Sequence, residues 1–414
     1  MSDTLPPQLS GANWLQRSET QAVFAAIAAA GHDARAVGGA VRNALLGLPV
    51  TDVDIATTAR PEEAMRAAAA AGLKAVPTGV AHGTVTLISG GQQYEVTTLR
   101  KDVETFGRHA TVAFTDDWAE DARRRDFTLN ALYCAVDGEV FDPLGGYPDL
   151  AARRVRFIGD PHERIREDYL RILRFFRFTA AYGQGAPDPD GLAACVRERA
   201  GLAVLSGERV RQEMLRLLGL ARGPELISVM FDYGLLPQVL GLAPRPGLLV
   251  WLAAIEAAQG READAVLRLG ILGVEVPEDA DNLQHRLRLS NEESTRLMRA
   301  ADRTPIGPST SERAAKTYLY AKGAAAYRDH VLLAWARSAD APGSDAWRDR
   351  LLLADRWQSP RFPIGGADVM ALDVPAGPRV GELLRKLEAM WIEGDFMADE
   401  TALRTKLQEL VGGG

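Results

Sequence analysis

At 414 residues the chain is too long for one ordinary core and, at roughly 100–200 residues per domain, implies about two to four domains. Hydrophobic residues at 47% and charged residues at 25% are ordinary globular values, and a net charge of −7 excludes a broadly basic coat for nucleic acid, so any polyanion must meet a local basic patch. Two cysteines, Cys134 and Cys195, exclude a disulfide framework, and the absence of a CxxC pair or Cys/His cluster excludes structural zinc of the common kinds. The most apolar early run, 22–30, is far too short for a membrane span, and residues 1–10 lack the basic and apolar regions of a signal peptide. A soluble, untargeted, cytoplasmic protein with no membrane partner and no disulfide partner is expected.

The first strand expected is Ala34–Val37, and it ends in Gly38-Gly39 with Arg42 one turn into a following helix. Glycines there let backbone N–H groups approach a phosphate, and the guanidinium adds a charge-assisted fork; taken singly, the pair is equally a tight strand-to-helix turn. Next comes Thr51-Asp52-Val53-Asp54-Ile55. On a strand the two aspartates, two residues apart, share a face, where like charges are costly unless a cation such as Mg²⁺ sits between them; the alternative is a solvated strand end. Strand-like runs 84–88 and 94–99 flank Gly90-Gly91, a hairpin signal that makes the sheet mixed or antiparallel. Glu95, on the second of these strands, is the acidic residue that could complete a carboxylate triad with Asp52 and Asp54.

The stretch 100–115, carrying Arg108, is charged and reads as a flexible loop. Arg123-Arg124-Arg125-Asp126-Phe127-Thr128-Leu129-Asn130 sets three guanidiniums before groups able to bond sugar hydroxyls, and a nearby triphosphate would relieve their mutual repulsion; a solvated basic helix end is the other reading. After Pro148 strand signals nearly vanish and helical periodicity takes over, interrupted at 183–191, 242–247, 304–308 and 359–366.

In the run 167–177, read as one helix, Asp168, Arg171 and Arg174 recur every three residues as a polar stripe between apolar positions. An aspartate accepts from an exocyclic amino group and an arginine donates to a ring nitrogen, which matches cytosine and adenine and opposes guanine and uracil. A surface ion pair between Asp168 and Arg171 is the plainer reading. Over 153–177, eight arginines against four carboxylates give a local +4, the basic patch that the acidic total demands. Trp251, Trp335, Trp347 and Trp357 read as packing residues.

In this order the segments GGAVRNALLG (38–47), DVDI (52–55), YEVTTLR (94–100), RRRDFTLNAL (123–132), FDPLGGYPDL (141–150), EDYLRILRFFRF (167–178) and SGERVRQEM (206–214) resemble the class II tRNA nucleotidyltransferases, the CCA-adding enzymes, and the related bacterial poly(A) polymerases. The resemblance is continuous over about 34–220 and resumes at 366–368 and 377–381. It implies a multi-domain α+β fold: a nucleotidyltransferase head (1–150) with a small mixed or antiparallel sheet, then an all-helical neck (151–225), body (226–335) and tRNA-binding tail (336–414). It further implies template-independent addition of CCA to tRNA 3′ ends from CTP and ATP, with release of pyrophosphate.

In that scheme Asp52 and Asp54 hold Mg²⁺ and Glu95 is the third catalytic carboxylate. Gly38, Gly39, Arg42 and Arg125 bind the triphosphate, Asp126 and Asn130 the sugar, and Asp168 and Arg171 the base, with Arg174 and Arg177 on the same nucleotide; Arg108 belongs to a loop implicated in switching from CTP to ATP. The chain departs from the family pattern at Asn43, where many members carry Asp, and at 107–110, which lacks a common proline. The rival readings are a poly(A) polymerase, a partial CC- or A-adding enzyme, and a catalytically inactive RNA-binding scaffold. Retention of the 100–115 loop opposes a CC-only enzyme, and the lack of a basic C-terminal extension opposes a poly(A) polymerase. In the C-terminal half Asp329-His330 is the only adjacent Asp and His, so no attached phosphohydrolase activity is expected.

Overall fold

The computed structural model describes residues 5–106 and 109–412, with the backbone alone at 102–106 and 109–112. Seven strands, β1 (Ala34–Val37), β2 (Asp54–Thr57), β3 (Lys74–Gly79), β4 (Thr84–Ser89), β5 (Gln92–Thr98), β8 (Tyr133–Cys134) and β9 (Val140–Phe141), form one sheet in the order β3-β4-β5-β2-β1-β8-β9. Only β2 and β5 run parallel; the other neighbours are antiparallel, so the sheet is mixed, as expected. Gly90 and Gly91, at φ 54° and 82°, close β4 onto β5 in a two-residue turn, a conformation that suits glycine because both central residues need positive φ.

Helices Ser18–Ala29 and Pro61–Ala70 pack on each other and on β4. A buried cluster including Val37, Ala56, Leu99, Ala131, Tyr133 and Ile158 joins the strands to the segments that follow them. Strands β3, β8 and β9 were not expected; the last two have only two residues each, too short for an alternation pattern to register. The stretch expected as a loop at 100–115 is instead a hairpin, β6 (Arg100–Phe106) and β7 (His109–Phe114), forming its own two-stranded sheet. Its polar composition argued against a core element, but antiparallel pairing lets such a segment satisfy its backbone groups without one.

No strand follows β9 among the described residues. Helix Leu170–Tyr182 buries Leu170, Ile172, Leu173, Phe175, Phe176 and Phe178 and leaves Arg171, Arg174 and Arg177 on a separate stripe. Phe127, from the segment after the three arginines, lies 5.2 Å from Phe178 and 4.9 Å from Phe157, which stacks on Phe175 at 5.4 Å. This aromatic cluster binds the helix to the sheet domain. The chain divides into two compact units, Met1–Pro244 with His285–Leu289, and Arg245–Gln284 with Ser290–Gly414.

Within the second unit Trp335 and Trp347 are buried and stacked at 5.9 Å, as packing residues should be. Asp329 pairs with Arg296 of another helix at 2.7 Å, and His330 bonds the Thr304 carbonyl in a loop at 2.7 Å, so both residues hold the packing around their helix. A separate cluster of Val369, Leu383, Leu387, Trp391, Leu403 and Leu407 forms the core of the last helices. Cys134 and Cys195 are buried free thiols. Among the described residues no helix is long and apolar enough to cross a membrane.

Candidate active site

Sheet register assembles the carboxylates. Val37 pairs with Asp54 across β1 and β2, and Ile55 with Val96 across β2 and β5, so one step back along the parallel pair sets Asp54 beside Glu95. Neighbouring strands lie about 4.8 Å apart, close enough for the two side chains to repel. Asp52 precedes β2 rather than lying on it, yet its charge still acts on Asp54. Burial pushes the Asp54 carboxyl above its ordinary value, Glu95 and Asp52 push it the same way, and Arg125 opposes them.

That repulsion is what a divalent cation would relieve, and an all-oxygen donor set suits a hard ion. No group of three or more His, Cys, Asp or Glu side chains stands ready to enclose a metal among the described residues. A pair of carboxylates is enough for Mg²⁺, which is commonly held by one or two of them together with substrate phosphates. The residues present therefore fit such an ion.

Gly38 leaves β1 at φ 67°, a region costly for other residues, and a Cβ there would stand 3.8 Å from Arg125 Nη1 and from the Asn130 carbonyl. A side chain would thus fill the space in front of the arginine. Arg42 is 6% exposed and lies beneath the Tyr182 ring at 3.8 Å, with Nη2 donating to the Tyr182 hydroxyl at 2.7 Å and Nη1 to Asn130 Oδ1 at 2.6 Å. Asn43 Oδ1 accepts from Arg42 Nε at 3.1 Å and Nη2 at 2.9 Å, so the amide meets the same fork that a carboxylate would, without neutralising it. Burial lowers the Arg42 pKa, and Tyr182 and Asp126 act against that.

Arg125 is held from behind. Its Nη2 donates to Asp121 Oδ2 at 2.9 Å, and the Tyr133 hydroxyl donates to the same oxygen at 2.7 Å. Burial alone would lower the Arg125 pKa, but Tyr133 and Asp121 outweigh it and raise it. Asp126 has both oxygens engaged: Oδ1 accepts from Asn130 Nδ2 and the Phe127 N–H, each at 2.9 Å, and Oδ2 from Arg174 Nε at 2.8 Å and Nη2 at 2.6 Å. Asp126 and Asn130 therefore fix Arg42 and Arg174 relative to one another.

Burial would raise the Asp126 pKa, but the Arg174 charge and the bonds from Asn130, Arg174 and the Phe127 N–H hold it below the ordinary carboxylate range. A carboxylate whose folded pKa is depressed contributes stability above its unfolded pKa and loses it as pH falls through the folded value. Asp126→Asn is expected to lose about 3 kcal/mol near neutral pH, the low end for a broken buried pair. Its stability should also fall less steeply than the parent's below about pH 4. Denaturant titrations across pH check both, and parallel curves for the two proteins contradict the assignment.

The continuous helix expected over 167–177 is broken. Helix Pro161–Glu167 ends at Asp168, whose backbone is extended (φ −154°, ψ 104°), and a new helix begins at Leu170. Asp168 Oδ1 accepts from the Leu170 N–H at 3.1 Å and its carbonyl from the Arg171 N–H at 3.0 Å, the short-range competition by which aspartate leaves a helix interior and caps the next one. Nor do Asp168 and Arg171 pair with each other. Arg209 grips Asp168 with two bonds, at 2.6 and 3.2 Å, while Glu167 takes Arg171.

Gly38, Gly39, Arg42, Asp54, Arg125, Asp126 and Asn130 line one side of a cleft of about 440 Å³, and Asp168, Arg171, Arg174 and Arg209 the other. Arg177 stands off this lining and pairs with Glu213. Arg108 lies outside the described residues. Most arginines of the basic patch expected at 153–177 have carboxylate partners: Arg154 and Arg156, each about half exposed, meet Asp149, Arg164 and Arg171 meet Glu167, and Arg174 meets Asp126. Counting charges along one segment missed carboxylates supplied from outside it.

Sequence reading also missed Asp121, Tyr133, Tyr182, Arg209 and Glu213 as supports of the cleft. Arg209 and Glu213, four residues apart on helix Gly207–Leu218, lie within the quoted segment 206–214 and share a helical face, the one available signal.

The profile of the Poly A polymerase head domain matches residues 34–156. The CCA tRNA nucleotidyltransferase 1, mitochondrial, of Mus musculus is 33% identical over 400 residues, 91% of this chain and 87% of that protein. The CCA-adding enzyme of Lactobacillus gasseri is 32% identical over 386 residues, 90% of this chain and 92% of that one. The crystal structure of the Bacillus stearothermophilus CCA-adding enzyme in complex with CTP superposes with a TM-score of 0.74 at 28% identity, over 95% of this chain and 97% of that one.

Proposed function

Because the chain belongs to the family of CCA-adding tRNA nucleotidyltransferases, we propose that it extends tRNA 3′ ends with CCA, taking CTP and ATP without a template and releasing pyrophosphate. Enzymes of this family need a divalent metal, and the ion proposed here is Mg²⁺. The observation that carries the reading is that Asp54, Arg42, Arg125, Asp168 and Arg171 all line one cleft.

In the reaction the terminal RNA 3′-oxygen forms a bond to the α-phosphorus, its proton leaves, and the bond from the α-phosphorus to the bridging oxygen breaks. Asp52 and Asp54 would hold Mg²⁺, with Glu95 as third carboxylate; the ion would supply Lewis acidity toward the attacking and leaving oxygens. Arg42 and Arg125 neutralise the triphosphate, and Gly38 and Gly39 leave room for it. Asp126 and Asn130 face the sugar while fixing Arg42 and Arg174. Asp168, steadied by Arg209, accepts from the exocyclic amine of cytosine or adenine, and Arg171 donates to the adjoining ring nitrogen.

Guanine and uracil present the reverse order and meet two mismatches, each leaving a polar group unpaired. Arg174 lines the nucleotide side of the cleft, Arg177 stands off the lining on the same helix, paired with Glu213, and Arg108 belongs to the segment proposed to take part in the change from CTP to ATP. The catalytic head is taken as 1–150, the neck as 151–225, the body as 226–335 and the tRNA-binding tail as 336–414. Two buried free thiols suit a reducing compartment, and the cytoplasm is the one proposed.

The deciding experiment is incorporation of labelled CTP and ATP, separately and together with Mg²⁺, on tRNA transcripts ending before, within and just short of CCA. Stepwise growth that stops at CCA establishes the reading. Long A tails make the chain a poly(A) polymerase, arrest at CC or addition of A alone a partial enzyme, and no extension an RNA-binding scaffold.

A further inference from the structure

Arg164 stands on helix Pro161–Glu167, one turn before the residues assigned to the base, and is only 8% exposed. Its guanidinium points away from solvent into the junction between the two sides of the cleft. Nη2 donates to the main-chain carbonyl of Arg125 at 2.7 Å and to that of Arg124. Nη1 donates to Glu167 Oε2, and the same oxygen accepts from Arg171 Nη1. Arg171 Nη1 also donates back to the Arg164 main-chain carbonyl. One side chain thus connects the backbone that carries Arg125 to the carboxylate that aims Arg171.

We propose that Arg164 is a positioning residue that holds the triphosphate-binding segment and the base-reading arginine in one register, so that losing it degrades phosphate placement and base choice together. The proposal rests on the functional reading above. A planar guanidinium spans two carbonyls with one nitrogen and a carboxylate with another, whereas an ammonium at the same place is a point charge that cannot hold all three in fixed geometry. Lysine therefore keeps the charge and loses the register. Glu167→Gln weakens only the half of the linkage that aims Arg171 and leaves the contacts to the carbonyls of Arg124 and Arg125.

The test uses full-length Arg164→Lys and Glu167→Gln, with folding checked by circular dichroism. Steady-state CTP and UTP incorporation is measured on tRNA ending before CCA. Arg164→Lys is expected to raise the KM for CTP and to lower the CTP-over-UTP ratio of kcat/KM, each by about 10- to 100-fold, the scale of a misplacement near 1 Å. Glu167→Gln should lower the ratio while leaving the KM for CTP within about threefold, since the triphosphate contacts are separate. A simple loss of folded protein scales both nucleotides alike and cannot move the ratio.

A folded Arg164→Lys whose CTP-over-UTP ratio stays within about twofold of the parent overturns the proposal. Should Arg164→Lys not fold, the same unchanged ratio in Glu167→Gln overturns it. A parent protein that does not itself prefer CTP to UTP overturns the functional reading instead.

Discussion

Asp54→Ala is expected to abolish nucleotide incorporation, with a fall of at least about 1000-fold in kcat, since Lewis-acid stabilisation contributes several kcal/mol and each 1.36 kcal/mol is a factor of ten. The argument is local. Asp54 opens β2 between Val37 on one neighbouring strand and Glu95 on the other, and its carboxyl is pushed up by burial and by the charges of Glu95 and Asp52. A carboxylate kept there against repulsion has a cation as its natural partner. RNA binding draws on cations, and removing an acidic group takes none away, so tRNA affinity should stay within about threefold in a filter-binding or anisotropy titration. Equal loss of incorporation and of tRNA binding would sink the metal assignment.

The second large effect concerns base choice. Arg171→Ala should cut discrimination of CTP against UTP by roughly 10- to 150-fold, the worth of one well-aligned bidentate recognition of a base at about 1–3 kcal/mol. Arg171 is 14% exposed on its side chain and held by Glu167, so it is oriented before any nucleotide arrives. Arg42 and Arg125 stand on other elements with their own supports, Asn130 and Tyr182 for one and Asp121 and Tyr133 for the other. The KM for CTP should therefore rise by less than the selectivity falls. Competition between CTP and UTP on one tRNA reads the ratio directly, and selectivity equal to the parent's contradicts a base-reading role.

The same dependence on support explains why the cleft is more than its motif residues. Asp126 spends both carboxylate oxygens on Asn130, Phe127 and Arg174, and Asp168 is clasped by Arg209. Arg125 is backed by Asp121 and Tyr133, and Arg171 by Glu167, none of which lines the cleft. A guanidinium or carboxylate held in this way loses little conformational entropy when a nucleotide binds, which is the benefit of a preorganised site.

Much was legible in the chain by itself. Period-two runs around Gly90-Gly91 specified the β4–β5 hairpin, because two adjacent glycines between matched strands leave the backbone few other turns. The aspartates after Thr51, the glycines after Val37 and the arginines before Phe127 were compatible with a phosphate chemistry but each left a plainer reading open, and only the seven segments taken together pointed to one family. Tertiary structure decided what those residues touch. Asp168 leaves the helix that periodicity assigned to it, since its own carboxylate caps the next turn, and it chooses Arg209, 41 residues away, over Arg171, three away. The +4 read along 153–177 shrinks once Asp126, Asp149 and Glu213 arrive from elsewhere to pair with it. Local rules such as strand alternation, turn glycines and residue chemistry act within a few residues and can be read in order. Ion pairs form between whichever opposite charges packing brings within about 4 Å, and that distance is set by the fold rather than by separation along the chain.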